Sequence, residues 1–301
     1  MYGIRETNGQ YQTFTLYDTS GNSSFTINPG RGGIVTGFQV DDIGDVLYMN
    51  EEIYSDPSKY IRGGIPVLFP MTGRLSGDRY QVQGETYSMP VHGLVRNYPW
   101  EIRDTSFTDG AKIVVGIQSN EETKRAFPFS FDVQFTYTLK GSTLTVEQVF
   151  ANLSGQDMPV SFGFHPYFRV KDKKKAKVLL DADTYKDMVS GAMVPAGEIP
   201  DFTGEPEVGC LFLDVRGQKA VLKADGYRVE VGFAHNYRHV LLWSLPKEDF
   251  ICVEPWTARP DALNTEEELI RIRPGERICS YMEISVSQDT GGEERTGTVC
   301  W

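Results

Sequence analysis

Phe131-Asp132-Val133-Gln134-Phe135-Thr136-Tyr137-Thr138-Leu139 alternates between apolar and polar residues without a break. Phe131, Val133, Phe135, Tyr137 and Leu139 fall on one face, and Asp132, Gln134, Thr136 and Thr138 on the other, which is the two-residue period of a half-buried strand. Lys140-Gly141-Ser142 turns the chain, and Leu144, Val146 and Phe150 resume the alternation. The pair reads as a hairpin with one face packed and one solvated. Outward from it, β-prone runs occupy 11–16, 23–27, 34–40, 45–49, 80–82, 99–104 and 112–118 upstream, and 177–181, 218–222, 227–233, 240–245, 250–253 and 277–286 downstream. Turn clusters such as Asn28-Pro29-Gly30-Arg31-Gly32-Gly33 and Pro246-Lys247-Glu248-Asp249 separate them. Helical periodicity is scarce; 121–127 and 265–269 each allow a turn or two. Many short strands between regular turns define an all-β fold, a large antiparallel β-sandwich with few short helices. With no break in composition and no repeat, residues 1–287 are expected to form a single domain. The polar, glycine-containing residues 288–301 are expected to form a mobile tail.

The chain has 301 residues, 40% hydrophobic and 24% charged, enough to bury a large core without staples. Its net charge of -11 argues against nucleic acid or an anionic membrane as the main partner. A small anionic ligand remains open, because a few arginines can make a local positive pocket. Cys210, Cys252, Cys279 and Cys300 are widely spaced, form no C-x-x-C pair and stand near no histidine in sequence. They read as reduced thiols, with no zinc site expected. The first residues lack the apolar run of a signal peptide, and no stretch has the length of a membrane helix, so a cytoplasmic location is expected. The motifs of serine hydrolases, P-loops and dinucleotide folds are absent.

Three stretches have the composition of a site. Ser161-Phe162-Gly163-Phe164-His165-Pro166-Tyr167-Phe168 sets a histidine among aromatics, where shielding from water strengthens its polar contacts and general acid chemistry suits an imidazole. Val253-Glu254-Pro255-Trp256 puts a carboxylate after an apolar run, either at a strand end or in a pocket, where burial beside Trp256 raises its pKa. Met89-Pro90-Val91-His92-Gly93-Leu94-Val95-Arg96 carries a second histidine and an arginine. The irregular segment 61–75 holds Arg62 and Arg74 at either end, with paired glycines that let backbone approach closely; a tight apolar connection with surface arginines is the alternative. His235 and His239 read as a polar surface loop without a nearby carboxylate.

Taken in order, Arg62-Gly63-Gly64-Ile65-Pro66-Val67-Leu68-Phe69-Pro70, His92-Gly93-Leu94-Val95-Arg96-Asn97-Tyr98-Pro99-Trp100, Phe164-His165-Pro166-Tyr167-Phe168 and Val253-Glu254-Pro255-Trp256-Thr257 resemble the aldose 1-epimerases of the galactose mutarotase-like superfamily. The nearest pattern is the branch with the hexose-6-phosphate mutarotases. The resemblance implies a large β-sandwich and interconversion of sugar anomers without a cofactor. It implies that His165 is the general acid, Glu254 the general base, and His92 a substrate-binding histidine. It further implies that Arg74 binds sugar and that Arg62 and Arg96 hold a 6-phosphate. Acid and base are expected on nearly opposite sides of the sugar ring. The implied partner is a sugar or sugar phosphate, and the implied assembly a monomer or homodimer. The chain departs from the pattern between Asp201 and Asp214, where Glu205, Glu207 and Asp214 give no clear match to the family's hydroxyl-binding acid. A non-catalytic carbohydrate-binding protein, or lyase or hydrolase chemistry on the same sandwich, are the competing readings.

Overall fold

The computed structural model describes residues 1–197 and 200–291. The opening hairpin pairs Phe131–Lys140 with Thr143–Asn152 antiparallel, in a register that sets Phe131 opposite Asn152 and Lys140 opposite Thr143. Burial follows the alternation read from the sequence: Phe131, Val133, Phe135, Tyr137 and Leu139 are all buried. The hairpin lies in an eight-stranded sheet, ordered Lys177–Asp181, Arg216–Ala224, Tyr227–Phe233, Arg277–Gln288, Thr143–Asn152, Phe131–Lys140, Ala111–Gln118 and Glu101–Ser106.

A second antiparallel sheet faces it. Its path runs Met193–Pro195, Thr184–Asp187, Val208–Phe212, His239–Ser244, Phe250–Trp256, Gly163–Phe164 and Val67–Leu68, with Tyr167–Arg169 also paired to Phe250–Trp256. The two sheets meet through phenylalanine rings. Phe150 stacks on Phe162 at 4.2 Å between ring centres and on Phe69 at 5.3 Å, and Phe135 lies 5.7 Å from Phe164. These are the contact distances at which aromatic pairs add specific geometry to area burial. A five-stranded sheet, Tyr2–Asn8, Gln12–Asp18, Ser23–Asn28, Ile34–Val40 and Gly44–Asp45, covers one end, and Phe25 packs on Tyr137 there. The all-β sandwich expected from the sequence is the observed fold.

Several local expectations change. The helical turn expected at 121–127 is a single 3-10 turn, Thr123–Arg125, and the one expected at 265–269 falls earlier, at Ala262–Thr265. A short helix at Glu51–Ser55, N-capped by the Asn50 side chain, and the edge strand Tyr2–Asn8 went unread. The segment 61–75 contributes Val67–Leu68 to the second sheet. Its paired glycines admit the chain's own backbone: a Cβ on Gly64 would lie 2.2 Å from the Val35 carbonyl oxygen. The last strand reaches Gln288, one residue into the expected tail; residues 292–301, with Cys300, lie outside the described residues.

Phe150 touches both sheets, so removing its ring leaves a cavity that neither sheet can collapse into. Phe150→Ala is expected to lower the unfolding free energy by about 3–5 kcal/mol, measured by urea denaturation with the slope unchanged.

Candidate active site

The strand Phe250–Trp256 is buried along its whole length because it has two different buried faces. Ile251 and Val253 point into the main core, while Cys252, Glu254 and Trp256 share the opposite face. On that face the neighbouring strand brings Leu241 opposite Glu254 and Trp243 opposite Cys252. Glu254 therefore stands in mid-strand, fully buried, and not at a strand end.

His165 follows the two-residue strand Gly163–Phe164, whose Gly163 pairs with Trp256. Its backbone N–H donates to the Pro66 carbonyl at 3.1 Å. Its ring stacks on Tyr167 at 4.6 Å and 3°, and meets the Trp243 edge at 5.8 Å. So held, His165 Nδ1 lies 3.3 Å from Glu254 Oε1, without the alignment of a hydrogen bond. Both Glu254 oxygens and the Trp256 Nε1 are buried; the indole N–H approaches the carboxyl and favours its charged form, without the alignment of a full hydrogen bond. The two groups are immediate neighbours on one wall of the cleft.

His92 completes the cluster, 5.3 Å from the His165 ring and 5.6 Å from Trp256. Its backbone has φ +65°, and the following Gly93, at φ +79°, lies so close to Phe69 that a Cβ would sit 2.2 Å from that carbonyl oxygen. The turn presents the imidazole edge to the Gly73 N–H, which donates to Nδ1 at 3.2 Å. That bond assigns the remaining proton to Nε2, making neutral His92 a fixed donor.

Electrostatics follow from dryness. Burial pushes the Glu254 carboxyl well above the ordinary carboxylate range. Burial, reinforced by the Arg96 charge, pushes His165 down to about 3. His92 is held well below the usual imidazole value by burial, then by His165, Arg96 and Arg74. Burial thus disfavours the charged form of all three groups.

The arginines separate into two groups. Arg96 packs flat on Tyr60, 4.1 Å from the ring centre, with its Nε and Nη2 buried and unpaired. Arg74 is two-thirds exposed and pairs with Asp78 at 3.0 Å; Arg62 is exposed. Both stand at the rim, their charges reaching His92 and Tyr167 respectively.

Three features escaped the sequence reading. Cys252 joins His165 and Glu254, the three offering ligand-type atoms within 4.8 Å of one another, a grouping invisible to sequence spacing. Its thiol is pushed well above the usual range by burial and Glu254. Glu207 accepts a hydrogen bond from Trp243 Nε1 at 3.0 Å, which places a carboxylate at the cleft edge beside the aromatic wall. Asp214, by contrast, pairs with Arg238. His239 is not in a surface loop: it opens the strand His239–Ser244, has no exposed surface, and its Nε2 meets Glu268 Oε2 at 2.8 Å. Its cross-strand partner Trp256 carries it inside, and the carboxylate lies 29 residues downstream. His235 is exposed, as read.

The chain belongs to the aldose 1-epimerase family, whose model matches residues 15–285, and it is an isomerase. It is 23% identical over 278 residues to a Cenchrus ciliaris protein named "Putative glucose-6-phosphate 1-epimerase", covering 84% of this chain and 79% of that one. A crystal structure from Synechocystis sp. PCC 6803 superposes with a TM-score of 0.91 at 34% identity, covering 96% of this chain and all (100%) of the other. A galactose mutarotase-like protein from Clostridium acetobutylicum shares the fold, with a TM-score of 0.79 at 20% identity over 96% of this chain and 99% of its own. Among the described residues, no helix is long and apolar enough to cross a membrane.

The pH profile of epimerisation checks the electrostatics. The single-proton pair gains a second proton only below the depressed His165 value of about 3, and loses its one proton only above the ordinary Glu value of 4.5. With the buffer-catalysed rate subtracted, kcat/KM is expected to show no acid limb centred near 6.5, the ordinary imidazole value. An acid limb centred there would mean that His165 titrates as an isolated, hydrated ring.

Proposed function

We propose that this protein interconverts the α and β anomers of an aldohexose or hexose 6-phosphate, with Glu254 as general base and His165 as general acid. The observation that carries this reading is the buried 3.3 Å contact between two titratable groups in which His165 Nδ1 and the Glu254 oxygens make no well-aligned hydrogen bond to each other or to the rest of the protein. A purely structural pair would be expected to satisfy those atoms within the protein.

The proton inventory suits a reversible ring opening. The proton moves from Glu254 to His165 across their contact, which gives a carboxylate and an imidazolium without exchange with water. Hydroxyl groups of the bound sugar favour that charged form by bonding to the carboxylate. Glu254 then takes the O1 proton, the C1–O1 double bond forms, the C1–O5 bond breaks, and O5 receives the His165 proton. This leaves a neutral imidazole and a protonated carboxyl, the same state as in the empty cleft. Rotation about C1–C2 exposes the other face of the aldehyde. Ring closure returns each proton, and nothing is consumed. His92 Nε2–H donates to a sugar oxygen throughout, its tautomer fixed by the Gly73 N–H. The flat faces of Trp243, Tyr167 and Trp256 suit the apolar face of a pyranose.

Arg96, with Arg62 and Arg74 at the rim, supplies positive charge for an anionic substituent. Glu207, tethered by Trp243, is our candidate for the hydroxyl-binding acid that the sequence pattern left unmatched.

Anomer exchange by NMR tests the reading, with glucose, galactose and glucose 6-phosphate side by side. Exchange faster than in buffer is expected for at least one of them. Glu254→Gln is expected to lower kcat/KM by roughly 100- to 10,000-fold, the usual worth of a positioned general base. A folded variant that keeps full activity overturns the assignment. Glu207→Gln keeps the bond to Trp243 but loses the charge; it is expected to raise KM several-fold with kcat nearly unchanged, read from the same exchange rates at varied sugar concentration.

A further inference from the structure

Cys252, His165 and Glu254 form a cluster whose chemistry the epimerase reading uses only in part. The thiol and the carboxyl stand two residues apart on the cleft face of the strand Phe250–Trp256, and the chain after Gly163–Phe164 brings the imidazole to both. Their sulfur, nitrogen and oxygen ligand atoms all lie within 4.8 Å of one another, and His165 Nδ1 is already 3.3 Å from Glu254 Oε1. All three residues are buried, Cys252 and Glu254 completely. His165 Nδ1 and both Glu254 oxygens make no aligned hydrogen bond, and Cys252 is in no disulfide. Tyr167, Phe250 and Trp243 pack around the thiol.

Each of these groups is buried without a counter-charge, and a divalent cation supplies one. A thiolate and a carboxylate carry two negative charges and a neutral imidazole none, so the set balances such an ion and leaves no net charge in a dry site. Zinc takes sulfur at about 2.3 Å and imidazole nitrogen or carboxylate oxygen at about 2.0–2.2 Å, which sets tetrahedral ligand atoms roughly 3.3–3.7 Å apart. The imidazole and carboxyl meet that spacing as they stand, and the thiol needs to close by about 1 Å at most. Sulfur and nitrogen in the set favour zinc-like ions over magnesium or calcium. We propose that Cys252, His165 and Glu254 bind a thiophilic divalent cation, with zinc the fitting ion, and that the bound ion blocks the cleft. The ion takes the lone pairs that proton transfer needs. Protons on the thiol and carboxyl pass to solvent as it binds, and a fourth position stays open to water or a sugar hydroxyl. The block rests on the epimerase reading above; binding itself does not.

The test uses the whole chain carrying Cys279→Ser and Cys300→Ser, which leaves the buried Cys210 and Cys252 as its thiols, with cobalt(II) as the probe. One equivalent of cobalt is expected to give a thiolate-to-metal charge-transfer band in the near ultraviolet, removed by zinc. Cys252→Ser is expected to abolish that band and weaken cobalt at least about 100-fold, because altering a residue that merely supports a ligand already costs roughly 10- to 100-fold. Glu254→Gln keeps the thiol and is expected to weaken cobalt similarly while the band survives at saturation, which keeps the test decisive should Cys252→Ser fail to fold. Anomer exchange is expected to fall in step with zinc occupancy and to return on adding a chelator. Absence of the band, or a band undiminished in Cys252→Ser, overturns the site. Zinc held at Cys252 with the exchange rate unchanged overturns the block. Metal binding by a chain that accelerates exchange of no sugar counts against the epimerase reading alone.

Discussion

Glu254 has no exposed surface, and neither of its oxygens makes a well-aligned hydrogen bond to the protein, although the Trp256 N–H lies beside the carboxyl. Burial of an unsatisfied carboxyl opposes folding by a few kcal/mol even when it stays protonated. The surrounding structure must outweigh that cost, and the arrangement of the sandwich shows how. The strand bearing Glu254 puts Ile251 and Val253 into the main core on its other face, and its neighbours on both sides are buried strands. The phenylalanine stack of Phe69, Phe150 and Phe162 lies between the sheets near the loops that deliver His165 and His92. A strongly stabilised frame can hold a locally unfavourable group at a site where a ligand would relieve it.

The same dryness that disfavours charge also couples the two groups to each other. An exposed carboxylate and imidazole would each equilibrate with water and lose their mutual dependence. Here burial drives Glu254 up and His165 down, so one proton belongs to the pair. His92 is kept apart from this exchange by a backbone donor at Nδ1, which leaves it a hydrogen-bonding role. Two histidines 5.3 Å apart thus sit in different surroundings, one against a buried carboxyl and one against a backbone donor.

Much of this was legible because the informative signals were local. The alternation from Phe131 onward translates directly into one buried row, and the glycine and proline residues around His92 and His165 mark chain reversals that expose a ring. What stayed hidden depends on contacts between distant segments. His239 reads as polar among Asn236, Tyr237 and Arg238, but its partner Glu268 arrives by tertiary folding. Cys252 sits two residues from Glu254, and only the pleat reveals that they share a face. Arg31 belongs to a turn cluster whose packing is visible only when Gly32 meets the Arg96 backbone. Val208–Phe212 is buried on both faces and therefore carries no alternation to read.

The strand Phe250–Trp256 has a further consequence, for how the family can diverge. Its core row and its cleft row interleave at every second residue. Replacing a side chain changes one contact and leaves the rest in place. Losing or gaining one residue before Glu254 would exchange the rows, driving the carboxyl into hydrocarbon and turning Ile251 and Val253 toward the cleft. The strand can drift in composition but not in length. New substrate preferences must therefore enter through the loops that meet it, where insertions are tolerated.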